Sequence, residues 1–213
     1  MLKVRASSLS KIMGKPRLKS EVLSETAKSY IIECFKEDQY GFSSFEGNQY
    51  TKKGHLMEDE AIFQSSILDG VSYEKNQERR DNGFITGECD IFTGSKVIDI
   101  KNSWDIGTHC FFKREAEEKT KKSGYDWQLW AYMWLWEVNQ AEVHYWLLPT
   151  PEEAMRPFDD EGKLITLVNQ IPIEQRRTVQ SIEFKPDLIE EVKEKIQHAK
   201  DFYNQLMKER ELC

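Results

Sequence analysis

The stretch FITGECDIFTGSKVIDIKNSW, residues 84–104, decides the expected fold. It contains two short runs in which apolar and polar residues alternate, joined by Gly94-Ser95. A two-residue connection with glycine first favours a type II′ hairpin turn. Such a turn also sets the register of the two strands. The expected pairs are Phe92 with Val97, Asp90 with Asp99, and Glu88 with Lys101.

The alternation of side chains along a strand predicts a polar face and an apolar face for this hairpin. Glu88, Asp90, Asp99 and Lys101 are expected together on the polar face. The opposite face is expected to belong to the core. Its residues are Ile85, Gly87, Cys89, Ile91, Ile98 and Ile100.

The predicted pairing places two aspartates side by side, about 4.5–5.5 Å apart at Cβ, where like charges destabilise a sheet. A divalent cation between Asp90 and Asp99 would relieve that repulsion, because hard cations prefer carboxylate oxygens. Lys101 beside them can orient a phosphate or a water. Metal, carboxylates and lysine suit phosphodiester hydrolysis. The alternative is a surface hairpin whose charges are merely solvated.

Length and composition predict one soluble domain spanning residues 1–213, with the central part at about 50–150. No run approaches the roughly 20 apolar residues of a membrane helix. The basic first residues lack a long apolar stretch, so no secretory signal is expected. A cytoplasmic location is expected instead. The cysteines show no CxxC spacing and are interpreted as reduced thiols. They are Cys34, Cys89, Cys110 and Cys213.

The net charge of −7 disfavours indiscriminate nucleic-acid binding. Basic residues are nevertheless clustered locally. In residues 4–19 they alternate with hydroxyl groups, and Arg5, Ser7 and Ser8 are candidates for phosphate contacts. The equally weighted alternative is a solvated segment that only caps the next helix.

Periodicity predicts helices over 20–37, 51–68 and 124–138, and a long C-terminal helix over about 187–211. Residues 141–148 and 182–184 are expected to be strands, and residues 70–80 are a further candidate. The run Glu58-Asp59-Glu60 alone indicates a solvated helix face. Gln128 lies on a helix that is apolar nearly all round, so its amide needs buried partners. The charged segment after Trp104 is interpreted as a mobile edge over a nucleic-acid strand or as a linker.

With these elements in order, the chain resembles the PD-(D/E)XK nuclease superfamily, in its lambda-exonuclease (YqaJ-like) or RecB-like branches. Residues 54–58 (GHLME) are similar to a G-x-x-x-E helix motif, and Asp90 with Asp99-Ile100-Lys101 matches the core motif. YDWQLWAY, residues 125–132, resembles the Y-x-x-Q-x-x-x-Y signature, and residues 5–8 (RASS) resemble a serine-bearing N-terminal segment. The resemblance spans residues 5–150.

The resemblance implies an α/β (α+β) restriction-endonuclease-like core, a mixed central sheet flanked by helices, and a site dependent on Mg²⁺ or Mn²⁺. Glu58, Asp90 and Asp99 would hold the metal together with the Ile100 carbonyl. Lys101 would orient and help deprotonate the attacking water. Gln128 would position Lys101 or the water, and Tyr132 would support it. Asp59 stands where the lambda-type branch has proline, so Glu58, Asp59 and Glu60 all remain candidate ligands.

The function expected from the resemblance is a phage-type exonuclease that processes double-stranded DNA ends for recombination. It would work beside a single-strand annealing protein and as a homo-oligomer. One alternative is a structure-specific endonuclease acting on flaps or branches. The other is a DNA-binding module that has the fold without the catalysis, against which the intact set of Asp90, Asp99 and Lys101 argues.

Overall fold

The computed structural model describes residues 2–43 and 46–211, which form two mixed β-sheets with helices around them. The strands are β1 (Val4–Arg5), β2 (Arg80–Asp81), β3 (Ile85–Gly87), β4 (Ile91–Phe92), β5 (Lys96–Asn102), β6 (Gln140–Trp146) and β7 (Arg177–Glu183). The α-helices are α1 (Leu9–Met13), α2 (Glu25–Tyr40), α3 (Gln49–Asp69), α4 (Lys113–Lys122), α5 (Tyr125–Trp136), α6 (Leu167–Gln170) and α7 (Ile189–Glu211).

The four-stranded sheet has the order β4-β5-β6-β7. Its central pair, β5 and β6, is parallel, and the pairs on either side are antiparallel. The smaller sheet has the order β1-β3-β2, with β1 parallel and β2 antiparallel to β3. The predicted mixed sheet, flanking helices and long C-terminal helix are therefore confirmed.

The predicted hairpin register is confirmed where the two strands pair. Ile91 lies opposite Ile98, and Phe92 lies opposite Val97. Gly94 has a φ of 85°, which glycine adopts without the strain that a Cβ would cause. The Lys96 N–H donates to Thr93 Oγ1, which closes the turn.

The expected pairing of Glu88 with Lys101 is wrong. The chain leaves the hairpin at residues 88–90, and β3 joins the smaller sheet instead. Glu88 pairs with Arg79, with 3.3 Å between Oε2 and Nη2. Alternation shows which way a side chain points but not which sheet a strand enters, so the sequence did not reveal this departure.

The apolar hairpin residues are all buried, but they belong to two clusters rather than to one face. Ile85 and Cys89 pack in a large cluster that includes Val97, Val143 and most of α5. Ile91, Ile98 and Ile100 pack in a small cluster on the other side of the sheet, against Ala61 and Ile62 of α3. The four-stranded sheet therefore has α5 on one face and α3 on the other.

Several predicted elements have different ends. Helix α2 begins after Ser24, whose Oγ accepts from the Ala27 N–H at 3.1 Å, so the start expected at residue 20 is wrong. Residues 70–80 contribute one isolated bridge, from Lys75 to Ile91, and Arg80, the first residue of β2. The strand expected at 182–184 overlaps the end of the longer β7. The charged segment at 113–122 is the helix α4, which sits on the fold through Ala116 and Thr120.

Among the residues that the structure describes, no helix is long and apolar enough to cross a membrane. Cys34, Cys89 and Cys110 are free thiols, whereas Cys213 lies outside the described residues.

Candidate active site

Four polar side chains meet on the α5 face of the sheet. Gln128 Nε2 lies 3.1 Å from Asp99 Oδ1 and 2.9 Å from the Tyr132 hydroxyl. Lys101 Nζ lies 2.5 Å from Asp99 Oδ2. Gln128 and Tyr132 are one helical turn apart and lie on the same side of α5. Asp99 and Lys101 are two residues apart and lie on the same face of β5. Both spacings therefore direct the side chains toward one place. The sequence predicts that the buried Gln128 amide has hydrogen-bond partners, and the structure identifies them as Asp99 and Tyr132.

Asp90 lies beside this group. Its Oδ2 accepts a hydrogen bond from the backbone N–H of Ile100 at 2.6 Å, which places the carboxylate against β5 next to Asp99. Burial, reinforced by the Asp99 charge, raises the pKa of Asp90 to about 7, although Lys101 and the Ile100 N–H act in the opposite direction. The negative charges of Asp90 and Asp99 therefore repel one another, as the sequence predicts.

Lys101 remains charged in this setting. Burial acts to lower its pKa, but the carboxylates of Asp99 and Asp90 more than offset that effect, and the pKa is raised. Its ammonium lies 4.8 Å from the centre of the Tyr125 ring, and a quarter of the side chain (25%) is exposed. The ammonium is thus held between a carboxylate and an aromatic face while solvent can still reach the side chain.

Glu58 lies on α3, across the sheet from Gln128. Its Oε1 lies 2.9 Å from Lys75 Nζ, and its charge contributes to the raised pKa of Asp90. Asp59 pairs with the same lysine but is 81% exposed, against 21% for Glu58. Glu60 accepts from Gln64 on the helix surface. Of the three consecutive acids, Glu58 is therefore the one placed to act with Asp90.

The carboxylates fit a divalent cation of the Mg²⁺ type. Asp99 Oδ2 is a buried atom that receives no hydrogen bond of normal geometry, and its contact with Lys101 is an ion pair. Among the described residues, no three His, Cys, Asp or Glu side chains are grouped closely enough to form a metal cluster by themselves. Mg²⁺ commonly takes one or two carboxylates and completes its shell with waters and substrate phosphates. Asp90 and Asp99 supply that number of carboxylates.

The N-terminal candidates lie on an adjoining part of the fold. The Arg5 Nη2 is 2.7 Å from Glu37 Oε1, Ser7 is exposed, and Ser8 is half-buried. Ala6, between Arg5 and Ser7, packs close to Gly87. A Cβ added at Gly87 would lie 2.8 Å from the Ala6 Cβ and 2.9 Å from Tyr132 Cε1. The segment therefore abuts Tyr132, but none of its three candidates contacts Asp99 or Lys101 among the interactions described.

Two contacts of the site were not expected from the sequence. The Y-x-x-Q motif marks Tyr125 but does not predict that its ring packs against the Lys101 ammonium. Lys75 pairs with Glu58 on α3, and nothing in the polar run around Lys75 predicts this contact from the sequence.

No family model matches the chain, and no relative was found among curated proteins. Solved structures do match it. An alkaline exonuclease (LHK-Exo) from Laribacter hongkongensis superposes with a TM-score of 0.64 at 15% identity, over 99% of this chain and 95% of that one. The same enzyme has also been solved in complex with dAMP, and that structure matches at 17% identity. At this identity the likeness shows the fold, which is that of a nuclease.

A much more similar structure identifies the family. A phage-related exonuclease from Haemophilus somnus 129PT is 47% identical, covers 98% of this chain and 96% of its own, and has a TM-score of 0.94. The chain therefore belongs to the phage-type exonucleases, in agreement with the resemblance to the PD-(D/E)XK superfamily.

Proposed function

We propose that this exonuclease is a Mg²⁺- or Mn²⁺-dependent deoxyribonuclease that degrades double-stranded DNA from its ends during phage recombination. The observation that carries the proposal is the pair of adjacent carboxylates, Asp90 and Asp99, with a buried Asp99 oxygen that lacks a hydrogen bond. Lys101 and Gln128 both contact the same Asp99 carboxylate.

Asp90 and Asp99 are the residues that would hold the metal, and Glu58 and the Ile100 carbonyl would complete its protein ligands. When bound, a divalent cation lowers the pKa of a coordinated water and neutralises charge on the scissile phosphate. Without a cation, the carboxylate charges of Asp90 and Asp99 repel one another. A divalent cation would bind to these same charges.

Lys101 orients the attacking water and donates to the oxygens on which negative charge develops. Because its pKa is raised, the side chain is an ammonium and acts as a donor. Once the Asp99 charge is engaged elsewhere, the ammonium would release its own proton to solvent more readily, and only the resulting neutral amine could take up a proton from the attacking water. Gln128, tied to Asp99 and to Tyr132, holds this arrangement in register with α5.

Arg5, Ser7 and Ser8 are proposed to contact DNA phosphates near the site. Arg5 already binds a carboxylate of Glu37, so a phosphate would compete for the same guanidinium. The net charge of −7 gives little general attraction for DNA. We therefore assign retention of the duplex end to enclosure by a homo-oligomer. A single-strand annealing protein would receive the product strand.

The exposed apolar surface of α3 and the residues after it is consistent with such an oligomer. Phe63, Ile67 and Val71 are 57%, 56% and 50% exposed. Light scattering during size-exclusion chromatography would measure the mass. A monomer at micromolar concentration, with or without DNA, would contradict enclosure.

The activity is tested with an end-labelled linear duplex and a covalently closed circle of the same sequence. With Mg²⁺, the linear duplex should be digested from its ends and the circle should remain intact, and EDTA should stop digestion. Cleavage of flapped or branched circles would support the structure-specific endonuclease. DNA binding without cleavage at any metal concentration would support the inactive module.

A further inference from the structure

Lys53, in the second turn of α3, has no exposed surface. Its Nζ donates to two backbone carbonyls, at 2.9 Å to Trp104 and 2.7 Å to Leu148. Lysine is almost never fully buried unless it is paired. Because the side chain is inaccessible, it cannot touch DNA, and its role must be exerted through the protein.

The partners of this ammonium are carbonyls rather than carboxylates. Lys53 forms no ion pair among the interactions of the described residues, and its pKa is lowered to about 7 by burial, opposed in part by Asp105. An apolar side chain of the same length would avoid the cost of desolvating an ammonium. Packing alone therefore does not account for a lysine at this position.

The two carbonyls belong to the ends of the two central strands. Trp104 follows β5 and Leu148 follows β6, and the parallel pairing places both ends at one edge of the sheet. The Thr150 hydroxyl donates to the same Trp104 carbonyl at 3.0 Å. Lys53 thus joins α3 to both strands at the point where they leave the sheet.

This junction lies close to the metal ligands along both elements. Glu58 follows Lys53 by five residues, an axial rise of about 7.5 Å along a helix. Asp99 and Lys101 lie on β5, five and three residues before Trp104. The apolar contact between α3 and the sheet is small, because Ala61 and Ile62 are the buried α3 residues of that cluster.

We propose that Lys53 is a positioning residue that fixes α3 against the ends of β5 and β6, so that Glu58 can complete a metal site with Asp90 and Asp99. The inference rests on the proposed function, because it assigns Glu58 to the metal. Loss of the Lys53 donors would let the start of α3 shift relative to β5. A misplacement of about 1 Å remote from the chemistry can cost about 100-fold in rate.

The test is Lys53→Met, with Lys52→Met as the matched control. Lys52 is the exposed neighbour on the same turn of α3, and its ammonium contacts the Glu153 carbonyl at the surface. Mn²⁺ affinity is measured by calorimetry without DNA, and kcat and KM are measured on the linear duplex. Lys53→Met should lower Mn²⁺ affinity and reduce kcat by about 100-fold with KM for DNA unchanged. Lys52→Met should match the parent protein in all three.

A double-mutant cycle with Glu58→Gln decides whether Lys53 acts through Glu58. If it does, Lys53→Met should add nothing further to the loss of Mn²⁺ affinity in the Glu58→Gln background. Additive losses, or a folded Lys53→Met protein with parental affinity and kcat, would overturn the inference. Should Lys53→Met not fold, Lys53→Gln, which keeps N–H donors on a shorter side chain, enters the same cycle under the same criteria.

Failure of the proposed function would give a different result. If Glu58→Gln leaves Mn²⁺ affinity unchanged, Glu58 is not a ligand, and the site assignment fails along with the role of Lys53. If Glu58→Gln weakens Mn²⁺ binding but Lys53→Met does not, the site assignment stands and only the positioning role is lost.

Discussion

The two faces of the four-stranded sheet are covered in different ways. On one face, α5 packs through a large apolar cluster that includes Leu129 and Met133, and it delivers Gln128 to Asp99. On the other face, α3 meets a much smaller apolar cluster. There the contact is supplemented by fully buried polar groups: Lys53 near the start of the helix, and Ser65 further along it.

Ser65 anchors α3 through a buried network. Its Oγ accepts from Trp146 Nε1 at 2.9 Å and lies 3.0 Å from His144 Nδ1, while the other nitrogen of His144 lies 3.1 Å from Glu142. Apolar packing is non-directional, whereas hydrogen bonds have a specific length and angle. The comparison therefore teaches that a thin apolar contact leaves the position of α3 to its polar anchors.

The largest effect is expected on the α5 face, from Asp99→Asn. The change keeps the shape of the side chain but removes the charge that pairs with Lys101 and that would bind the proposed metal, and activity should fall by about 10³-fold. The matched control is Asp59→Asn, on the exposed side of α3. Rates on end-labelled duplex check the result. Parental activity in folded Asp99→Asn would remove the basis for placing the chemistry on this face.

Metal-dependent stability should sharpen the same comparison. The pKa of Asp90 in the folded protein is about 7, well above the ordinary value near 3.9, so its ionisation favours unfolding as pH rises between these values. Mg²⁺ should therefore raise Tm more near pH 8 than near pH 5. The stabilisation at 100 times the dissociation constant is about 2.7 kcal/mol.

Asp90→Asn provides the control for the pH dependence, because it cannot ionise. It should flatten the dependence of Tm on pH between about 4 and 7 in the absence of metal. The same slope in Asp90→Asn as in the parent would show that other groups cause it.

The α3 face is probed by Ser65→Ala. The change leaves Trp146 Nε1 and His144 Nδ1 without their partner, so the free energy of unfolding should fall by about 1–3 kcal/mol. Denaturant titration measures it, with Ser72→Ala on the exposed surface as control. A loss below about 0.5 kcal/mol, typical of surface changes, would mean that apolar packing suffices to hold α3.

The smallest effect is expected for Gly54→Ala, next to Lys53 on α3. Apart from its chain neighbours and the backbone of its own helix, a Cβ at this position would meet no heavy atom within 4 Å. Alanine should therefore stabilise the protein by about 0.5–1 kcal/mol. Gly87→Ala, whose Cβ would lie 2.8 Å from that of Ala6, should destabilise it instead. A stabilised Gly54→Ala protein with weakened DNA binding would place the substrate against this turn of the helix.

The sequence predicted the local parts of this arrangement well. Gly94-Ser95 set the hairpin register, and the apolar run around Gln128 identified the buried helix. The exit of β3 into the smaller sheet was missed, because a period of two does not specify which sheet a strand joins. The burial of Lys53 was missed because lysine is ordinarily exposed, and its carbonyl partners lie 51 and 95 residues away.

The hydrogen bond from the Ile100 N–H to Asp90 also matters for the integrity of the sheet. β4 pairs with β5 only as far as Ile98, so the Ile100 N–H has no strand partner on that side, although Ile100 itself is buried. A buried backbone donor left without a partner costs about 1–3 kcal/mol. By accepting from this N–H, the Asp90 carboxylate satisfies that donor. Substitutions at Asp90 should therefore be checked for a loss of folding stability before any loss of activity is attributed to chemistry.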